Sequence, residues 1–333
     1  MTRIEQFALG GARRRDWRGA IRIGLVNNMP DAAMRATELQ FARLLKDAAG
    51  ALDVRLQLFS LAGLARGEAA QARMEGFYAD AAGVAEAGLD ALIVTDMAGT
   101  APLKKSPLWP QLTRLIDWAA THPVSAMFSG RAAEAAVLHL DGIAARPLPL
   151  PLAGVFEVER VNDDPLFFHM NPLTRVPHAR TSEIAESDLV TARGYSVLSR
   201  IPYGGVDLFA RAKETGEGRL LFFQGHPEYG PQTLGRVFLD DMRRFLAGEG
   251  PRPAIPGNYF DRATEDRIAE LAAGATDGRA MSAFTETVTR ALPLESWHGH
   301  TLRLFGNWLT LVAAEKTRRG LSRPAADRRK VRA

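Results

Sequence analysis

The chain contains no cysteine. This absence excludes disulfide bonds, metal sites with thiolate ligands and a cysteine nucleophile. The 333 residues also include no apolar run long enough to span a membrane, and the N-terminus lacks the apolar core of a secretory signal. We therefore expect a cytoplasmic protein that does not insert into a membrane.

Sequence patterns for two common classes of ligand are missing as well. There is no Gly-x-x-x-x-Gly-Lys segment, and no Gly-x-Gly-x-x-Gly segment follows the first predicted strand, so a nucleotide-phosphate cradle is not expected. His298 and His300 lie close together, but no acidic or histidine cluster at ligand spacing accompanies them. We therefore expect neither a metal site nor a bound cofactor.

The net charge of +4 is unevenly distributed along the chain. Residues 316–333 carry eight Lys or Arg and one Asp, so the rest of the chain has a slight negative net charge. The aromatic residues are not interleaved with a basic stripe, so we do not expect the folded body to bind nucleic acid. We interpret residues 316–333 as a disordered basic tail; contact with nucleic acid or an acidic surface is the alternative.

Short apolar segments alternate with helical patterns in the first half of the chain. This alternation predicts an α/β, flavodoxin-like fold, with a mostly parallel sheet covered by helices on both faces. In such sheets ligands bind beyond the carboxyl ends of the strands, near a change in strand order. The predicted strands are residues 21–26, 54–59 and 91–95, and the predicted helices are residues 32–48, 67–87 and 109–120.

The second half of the chain has a less regular pattern. Proline and glycine are frequent over residues 141–185, which we interpret as connecting or site-lining structure. We expect an N-terminal arm (1–20), a single domain (21–315) and the basic tail. Later strands are predicted at residues 196–199, 206–210 and 219–223, and later helices at residues 232–246 and 301–314.

A sharp strand-to-helix turn is predicted at Ser129 and Gly130, between an apolar strand and an Ala-rich helix. Such a turn exposes a nucleophile at the sheet edge, and backbone N–H groups beside Gly130 and Arg131 can stabilise an oxyanion. The alternative is that Ser129 only caps the helix. Two other predicted strands end at the same edge, one at Asn27 and Asn28 and the other at Thr95 and Asp96.

His226 and Glu228 directly follow the strand predicted at residues 219–223. In an extended segment, residues two apart project from the same face, so the carboxylate can hold the imidazole in one tautomer and stabilise its charged form. This arrangement is typical of a general base and the group that orients it. A turn histidine beside a surface glutamate is the other interpretation.

A series of short segments, in a shared order and spacing over about 290 residues, resembles the homoserine O-acyltransferase (homoserine trans-succinylase) family. The segments are residues 28–30 (Asn-Met-Pro), 37–38 (Thr-Glu), 76–78 (Gly-Phe-Tyr), 92–95 (Leu-Ile-Val-Thr), 109–111 (Trp-Pro-Gln), 154–157 (Gly-Val-Phe-Glu), 177–180 (Pro-His-Ala-Arg), 225–229 (Gly-His-Pro-Glu-Tyr), 258–260 (Asn-Tyr-Phe) and 307–309 (Asn-Trp-Leu).

The resemblance implies a fold related to class I glutamine amidotransferases and a homodimer. It also implies acyl transfer from acyl-CoA, as co-substrate, to the hydroxyl of homoserine in methionine biosynthesis. In the family a cysteine at the strand–helix turn carries the acyl group, and the equivalents of His226 and Glu228 are base and orienter. Gly130 stands where the family has this cysteine, with Ser129 one residue earlier.

Other positions also depart from the family pattern. Asp31 and Ala32 replace a lysine pair, and Pro151 replaces a lysine. Asp240 replaces an arginine, although Arg236 lies one helical turn away. Ala179 replaces a serine, while its neighbour Arg180 is kept. Gly99 and Thr100 stand where a glutamate indicates acetyl-CoA, which favours succinyl-CoA.

Two hypotheses follow from this combination of kept and lost residues. In the first, the protein is an acyltransferase in which Ser129 is the nucleophile, His226 the general base and Glu228 its orienter. In the second, it is a catalytically inactive family member that binds a metabolite or regulates a partner. The residues predicted to bind substrate are Arg180, Asn28, Thr95, Gly99 and Arg236.

Overall fold

The computed structural model describes residues 19–322, except 98, 100–101, 193, 215, 217, 275–279, 292 and 294–296. Most of the predicted N-terminal arm, and residues 323–333 of the predicted tail, lie outside the described residues. The strands of the described part are β1 (Ile21–Val26), β2 (Val54–Ser60), β3 (Tyr78–Asp80), β4 (Ala91–Val94), β5 (Ser125–Ser129), β6 (Arg146–Arg160), β7 (Leu173–Glu183), β8 (Tyr195–Ile201), β9 (Gly205–Ala212) and β10 (Arg219–Phe223).

These strands form one sheet in the order β3-β2-β1-β4-β5-β10-β9-β8-β6-β7. The first six strands in this order are parallel to one another; they are β3, β2, β1, β4, β5 and β10. Without the short edge strand β3, they run β2-β1-β4-β5-β10, which is the flavodoxin-like order with its switch between β1 and β4. The predicted fold class is confirmed.

The remaining strands, β9, β8, β6 and β7, pair antiparallel and extend the sheet on one side. Residues 141–185, interpreted as connecting or site-lining structure, contain the two long strands β6 and β7, which the sequence analysis did not predict. The prolines of β6 stand at its exposed start, and the β6–β7 register shifts between Pro147 and Leu152. Proline fits a strand at such an irregularity, where a ladder hydrogen bond is already lost.

Helices cover both faces of the parallel strands, because these strands are apolar on both sides. One buried cluster packs α3 and α4 against the sheet, and a second packs α1 and α9 against the other face. A third cluster joins α6, α7 and α8. The described helices are α1 (Asp31–Ala48), α2 (Glu68–Phe77), α3 (Trp109–Thr121), α4 (Arg131–Asp141), α5 (Glu186–Thr191), α6 (Thr233–Leu246), α7 (Arg262–Gly274), α8 (Met281–Arg290) and α9 (His298–Ser322).

Two helices differ in length from their predictions. The helix expected over residues 67–87 ends at Phe77, because Tyr78 pairs with Leu58 as an edge strand and the Asp80 side chain then accepts from Ala82 N. Helix α9 continues to Ser322, so the first seven residues of the predicted disordered tail are helical. Within the described residues, no helix combines the length and the apolar character needed to cross a membrane.

Lys213, directly after β9, is a buried cation at the opposite edge of the sheet from the predicted site. Its ammonium group donates to the carbonyl oxygens of Ala119 (2.7 Å) and Pro123 (2.6 Å). Burial, together with the positive charge of Arg319, lowers the pKa of Lys213 to about 7. The amine therefore titrates near neutral pH in the folded protein.

Candidate active site

The carboxyl ends of β1, β4, β5 and β10 meet at one edge of the sheet. Asn28 N donates to Thr95 Oγ1 at 2.9 Å, which joins the residues that follow β1 and β4. Gly130 N donates to Phe223 O at 2.9 Å and joins the ends of β5 and β10. The strand ends singled out in the sequence thus converge next to the switch point.

His226 and Glu228 form a buried pair at this edge. His226 Nδ1 lies 3.0 Å from Glu228 Oε1, and the imidazole is 1% exposed. The ring stacks on Tyr229, with centroids 4.3 Å apart, and the His226 backbone N–H donates to Pro177 O at 2.7 Å. The carboxylate occupies Nδ1 and leaves Nε2 as the nitrogen able to exchange a proton with a ligand.

The charges around His226 favour its protonated form. Burial opposes the charged imidazolium, but the charge and hydrogen bond of Glu228, followed by the charges of Asp96 and Asp207, raise the pKa of His226 above its ordinary value of 6.5. An imidazole with a raised pKa holds a proton more firmly, so it serves as an acid near neutral pH and as a stronger base once deprotonated.

A cavity lies between this pair and the start of α4. His226, Gly130, Arg131 and Arg180, all predicted site residues, line it together. The other lining residues are Asp96, Glu134, Ala179, Thr181, Ser182 and Gln224.

Ser129, the predicted nucleophile, is buried at the end of β5 and is not among the residues that line this cavity. Side chains alternate along a strand, so Ser129 shares a face with Met127, whose cluster contains α1 and α9. Phe128 belongs to the opposite face, with α3 and α4. The structure does not bring Ser129 to the cavity, and its role as nucleophile stays a prediction.

Gly130 adopts the conformation expected of a sharp strand-to-helix turn, with φ 52° and ψ −125°. A Cβ built on Gly130 would overlap the carboxyl group of Asp96, whose Cγ would be only 2.5 Å away. A Cβ atom does not approach another carbon so closely, so this carboxyl group occupies the space that a side chain at position 130 would need.

Asp96 lies at a predicted strand end but is not among the predicted site residues. Its Oδ1 accepts from Arg131 N and from Met97 N, each at 2.7 Å. Burial raises the pKa of Asp96, against the opposing effects of the His226 charge and the two backbone N–H donors. A sequence signal was available, because Asp96 follows an all-apolar strand next to the strand that ends at Gly130.

Arg180 projects into the cavity from β7. Its guanidinium donates to Gln224 Oε1 at 3.1 Å and to Gly204 O at 2.7 Å, and lies 3.9 Å from a carboxylate oxygen of Glu183. The Arg180 Nε is buried and has no hydrogen-bond partner among the described residues. The guanidinium thus retains a donor for a ligand.

The other predicted substrate-binding residues lie outside this cavity lining. Both polar side-chain atoms of Asn28 are buried without a partner in the described part of the chain, next to the switch point. Gly99 is exposed with φ 103°, and Thr100 lies outside the described residues. Arg236 contacts Gln232 at 3.4 Å on an exposed face of α6.

No group of three or more His, Asp or Glu residues that could hold a metal ion occurs in the described part of the chain. Asp240, which replaces the family arginine, pairs with Arg243 at 2.5 Å on the exposed side of α6.

Comparison with known proteins places these features in a family. A family model described as homoserine O-succinyltransferase matches residues 4–319. Proteins named homoserine O-succinyltransferase are similar in sequence: that of Rhodopseudomonas palustris is 43% identical over 89% of each chain, and that of Bradyrhizobium japonicum is 39% identical over 93% of this chain and 97% of its own. Among solved structures, a glutamine amidotransferase from Thermotoga maritima is 13% identical, with a TM-score of 0.47 over 80% of this chain and 98% of its own. The resemblance seen in the sequence is confirmed: the chain belongs to the homoserine O-succinyltransferase family.

Proposed function

We propose that the protein transfers a succinyl group from succinyl-CoA to the hydroxyl of homoserine. Family membership over nearly the whole chain supports this reaction, since the relatives carry the name homoserine O-succinyltransferase. The observation that carries it is the buried His226–Glu228 pair at 3.0 Å, which opens onto a cavity shared with Arg180.

In this proposal His226 removes the proton of the homoserine hydroxyl as that oxygen attacks the acyl carbon. Glu228 fixes Nδ1 and stabilises the imidazolium that forms, because its charge lies 3.0 Å away. General base catalysis of this kind contributes roughly 10²–10⁴-fold to the rate.

Arg180 and Asn28 are proposed to hold the substrates. A guanidinium with a free buried N–H suits a carboxylate, which both homoserine and a succinyl group possess. The Asn28 amide, with neither polar atom paired among the described residues, offers a donor and an acceptor beside the same strand ends. Buried polar groups without partners are costly, and a bound polar ligand removes that cost.

The donor is proposed to be succinyl-CoA rather than acetyl-CoA, on the names of the relatives and on the glycine at position 99. We also propose that the protein is cytoplasmic and, as its resemblance to the family implies, a homodimer. Mass measured by light scattering tests the dimer, and a mass equal to one chain contradicts it.

The reaction is tested by incubating the purified protein with L-homoserine and either succinyl-CoA or acetyl-CoA, and identifying the products by mass spectrometry. We expect O-succinylhomoserine, with a much slower reaction from acetyl-CoA. His226→Ala should lose the activity. His139→Ala is the matched control, because His139 is also paired with a carboxylate, Asp117, at 2.7 Å, but on the exposed surface. No acylated homoserine from either donor would contradict the proposal.

A further inference from the structure

The turn at Gly130 has the geometry that presents a nucleophile, but glycine has no side chain to present. The space is nevertheless filled. All three carboxyl atoms of Asp96 lie within 2.9 Å of the point where a Cβ at position 130 would be. The strand alternation agrees with this placement, since Asp96 comes two residues after Val94, whose cluster faces α3 and α4.

The carboxyl group is held in a fixed orientation by one of its oxygens. Oδ1 accepts two backbone N–H groups at 2.7 Å, one of them from Arg131 in the first turn of α4. The positive end of that helix favours an anion there and so opposes the effect of burial, which raises the pKa of Asp96. Oδ2 takes part in neither hydrogen bond and has no other hydrogen-bond partner among the described residues, so its lone pairs are available to an electrophile.

Asp96 also shares the cavity with the general base. Asp96 and His226 both line it, and their charges interact attractively. The only other candidate nucleophile of the turn, Ser129, does not line the cavity. Carboxylates form covalent intermediates in several enzyme classes, so the group has the required reactivity.

We propose that Asp96 is the catalytic nucleophile and carries the acyl group as a mixed anhydride. Asp96 Oδ2 attacks the carbonyl carbon of the acyl-CoA thioester and forms a C–O bond. The C–S bond breaks with its electron pair on sulfur, and the CoA thiolate takes the proton of the His226 imidazolium. This step rests on the proposed use of an acyl-CoA donor.

The second half of the reaction restores both groups. The neutral His226 takes the proton of the homoserine hydroxyl as its oxygen attacks the acyl carbon of the anhydride. The C–O bond to Asp96 breaks, and its electron pair returns to the carboxylate. The product is the acylated homoserine, and the pair is again imidazolium and carboxylate.

The test is exchange of isotopically labelled CoA into unlabelled succinyl-CoA with homoserine absent, followed by mass spectrometry. Exchange requires an acyl-enzyme, because no acceptor is present to take the acyl group. We expect exchange with the wild-type protein, a loss of roughly 10³-fold or more in Asp96→Asn, and no change in Asp163→Asn. Asp163 is the matched control, because its side chain is 99% exposed.

Three results would overturn the proposal: exchange that survives in Asp96→Asn, exchange that is lost in Ser129→Ala, or absence of exchange from the wild-type protein. If O-succinylhomoserine forms without any exchange, Asp96 is excluded and the proposed function stands. If exchange occurs and is lost in Asp96→Asn, but nothing is transferred to homoserine, Asp96 stands and the proposed acceptor fails.

A second measurement needs no variant at Asp96 and so does not depend on whether one folds. Hydroxylamine added to wild-type protein during turnover of succinyl-CoA attacks the anhydride, and attack at the aspartyl carbonyl leaves a hydroxamate on the protein. Peptide mapping should place the hydroxamate at Asp96. Attack at the succinyl carbonyl instead releases succinyl hydroxamate and restores the carboxylate. A hydroxamate at another residue contradicts the proposal, and so does the absence of hydroxamate on both the protein and the succinyl group.

Discussion

The packing of Asp96 against Gly130 makes a quantitative prediction about stability. Replacing Gly130 with alanine introduces a Cβ into the space held by the Asp96 carboxyl group, with Cγ only 2.5 Å away. The carboxyl group must shift from its position and give up one of the two hydrogen bonds that it accepts from Arg131 N and Met97 N. Gly130→Ala should therefore lower the free energy of unfolding far more when the Asp96 side chain is present than when it is removed.

The magnitude follows from two contributions. At φ 52° a Cβ costs about 1–2 kcal/mol by itself. Loss of one hydrogen bond to a charged group costs about 1.5–3 kcal/mol more. Gly130→Ala should thus lower the free energy of unfolding by about 3–4 kcal/mol in the wild-type protein and by about 1–2 kcal/mol in Asp96→Ala. The coupling between the two positions is about 2 kcal/mol, within the usual range for residues in contact.

The assay is urea-induced unfolding of wild type, both single variants and the double variant, with the slope of each transition checked for constancy. Gly142→Ala is the matched control at the other end of α4. Gly142 has φ 71°, but a Cβ built there meets no atom within 4 Å. Gly142→Ala should lower the free energy of unfolding by the same amount in the presence and in the absence of the Asp96 side chain.

Additive effects at positions 96 and 130, within about 0.5 kcal/mol, would refute the contact. A coupling of similar size between positions 96 and 142 would indicate a general loss of structure rather than a local clash.

Three further predictions concern charge. Glu228→Gln removes the negative neighbour that raises the pKa of His226. The value of kcat/KM for homoserine should therefore fall, and the acid limb of its pH profile should move to lower pH. An acid limb at unchanged pH would contradict the pairing. Arg180→Lys should raise KM for homoserine about 10-fold or more because the planar fork is lost, and an unchanged KM argues against substrate contact. Lys213 has a pKa of about 7 when folded, against 10.5 ordinarily, so the unfolded chain binds more protons between these values. The free energy of unfolding should therefore rise between pH 7 and pH 9 by more in the wild type than in Lys213→Met. Urea midpoints that shift by the same amount with pH in both proteins would refute this.

The parallel half of the fold was accessible from the sequence because its strands are uniformly apolar. β1 and β4 are buried along almost their whole length. Uniformly apolar strands that alternate with amphipathic helices are typical of a parallel sheet covered on both faces. In the antiparallel extension, β8 and β9 overlap predicted strands, but β6 and β7 were not accessible from the sequence. The first half of β6 is largely exposed and carries three prolines, so neither periodicity nor propensity marked it as a strand.

In the candidate site, too, some residues could be predicted from the sequence and others could not. His226 and Glu228 are two residues apart, so local geometry placed them together before any tertiary contact was known. Asp96 and Arg131 are 35 residues apart, and their hydrogen bond depends on how β4 and β5 pair. The side occupied by Ser129 could have been inferred from the alternation along β5, because Met127 and Ser129 must share a face.

The most direct test of the account is the initial-rate pattern with succinyl-CoA varied at several fixed concentrations of homoserine. If Asp96 carries the acyl group between two half-reactions, the double-reciprocal lines should be parallel, as in a ping-pong mechanism. Lines that intersect would show direct transfer in a ternary complex, and would contradict an acyl-enzyme at Asp96.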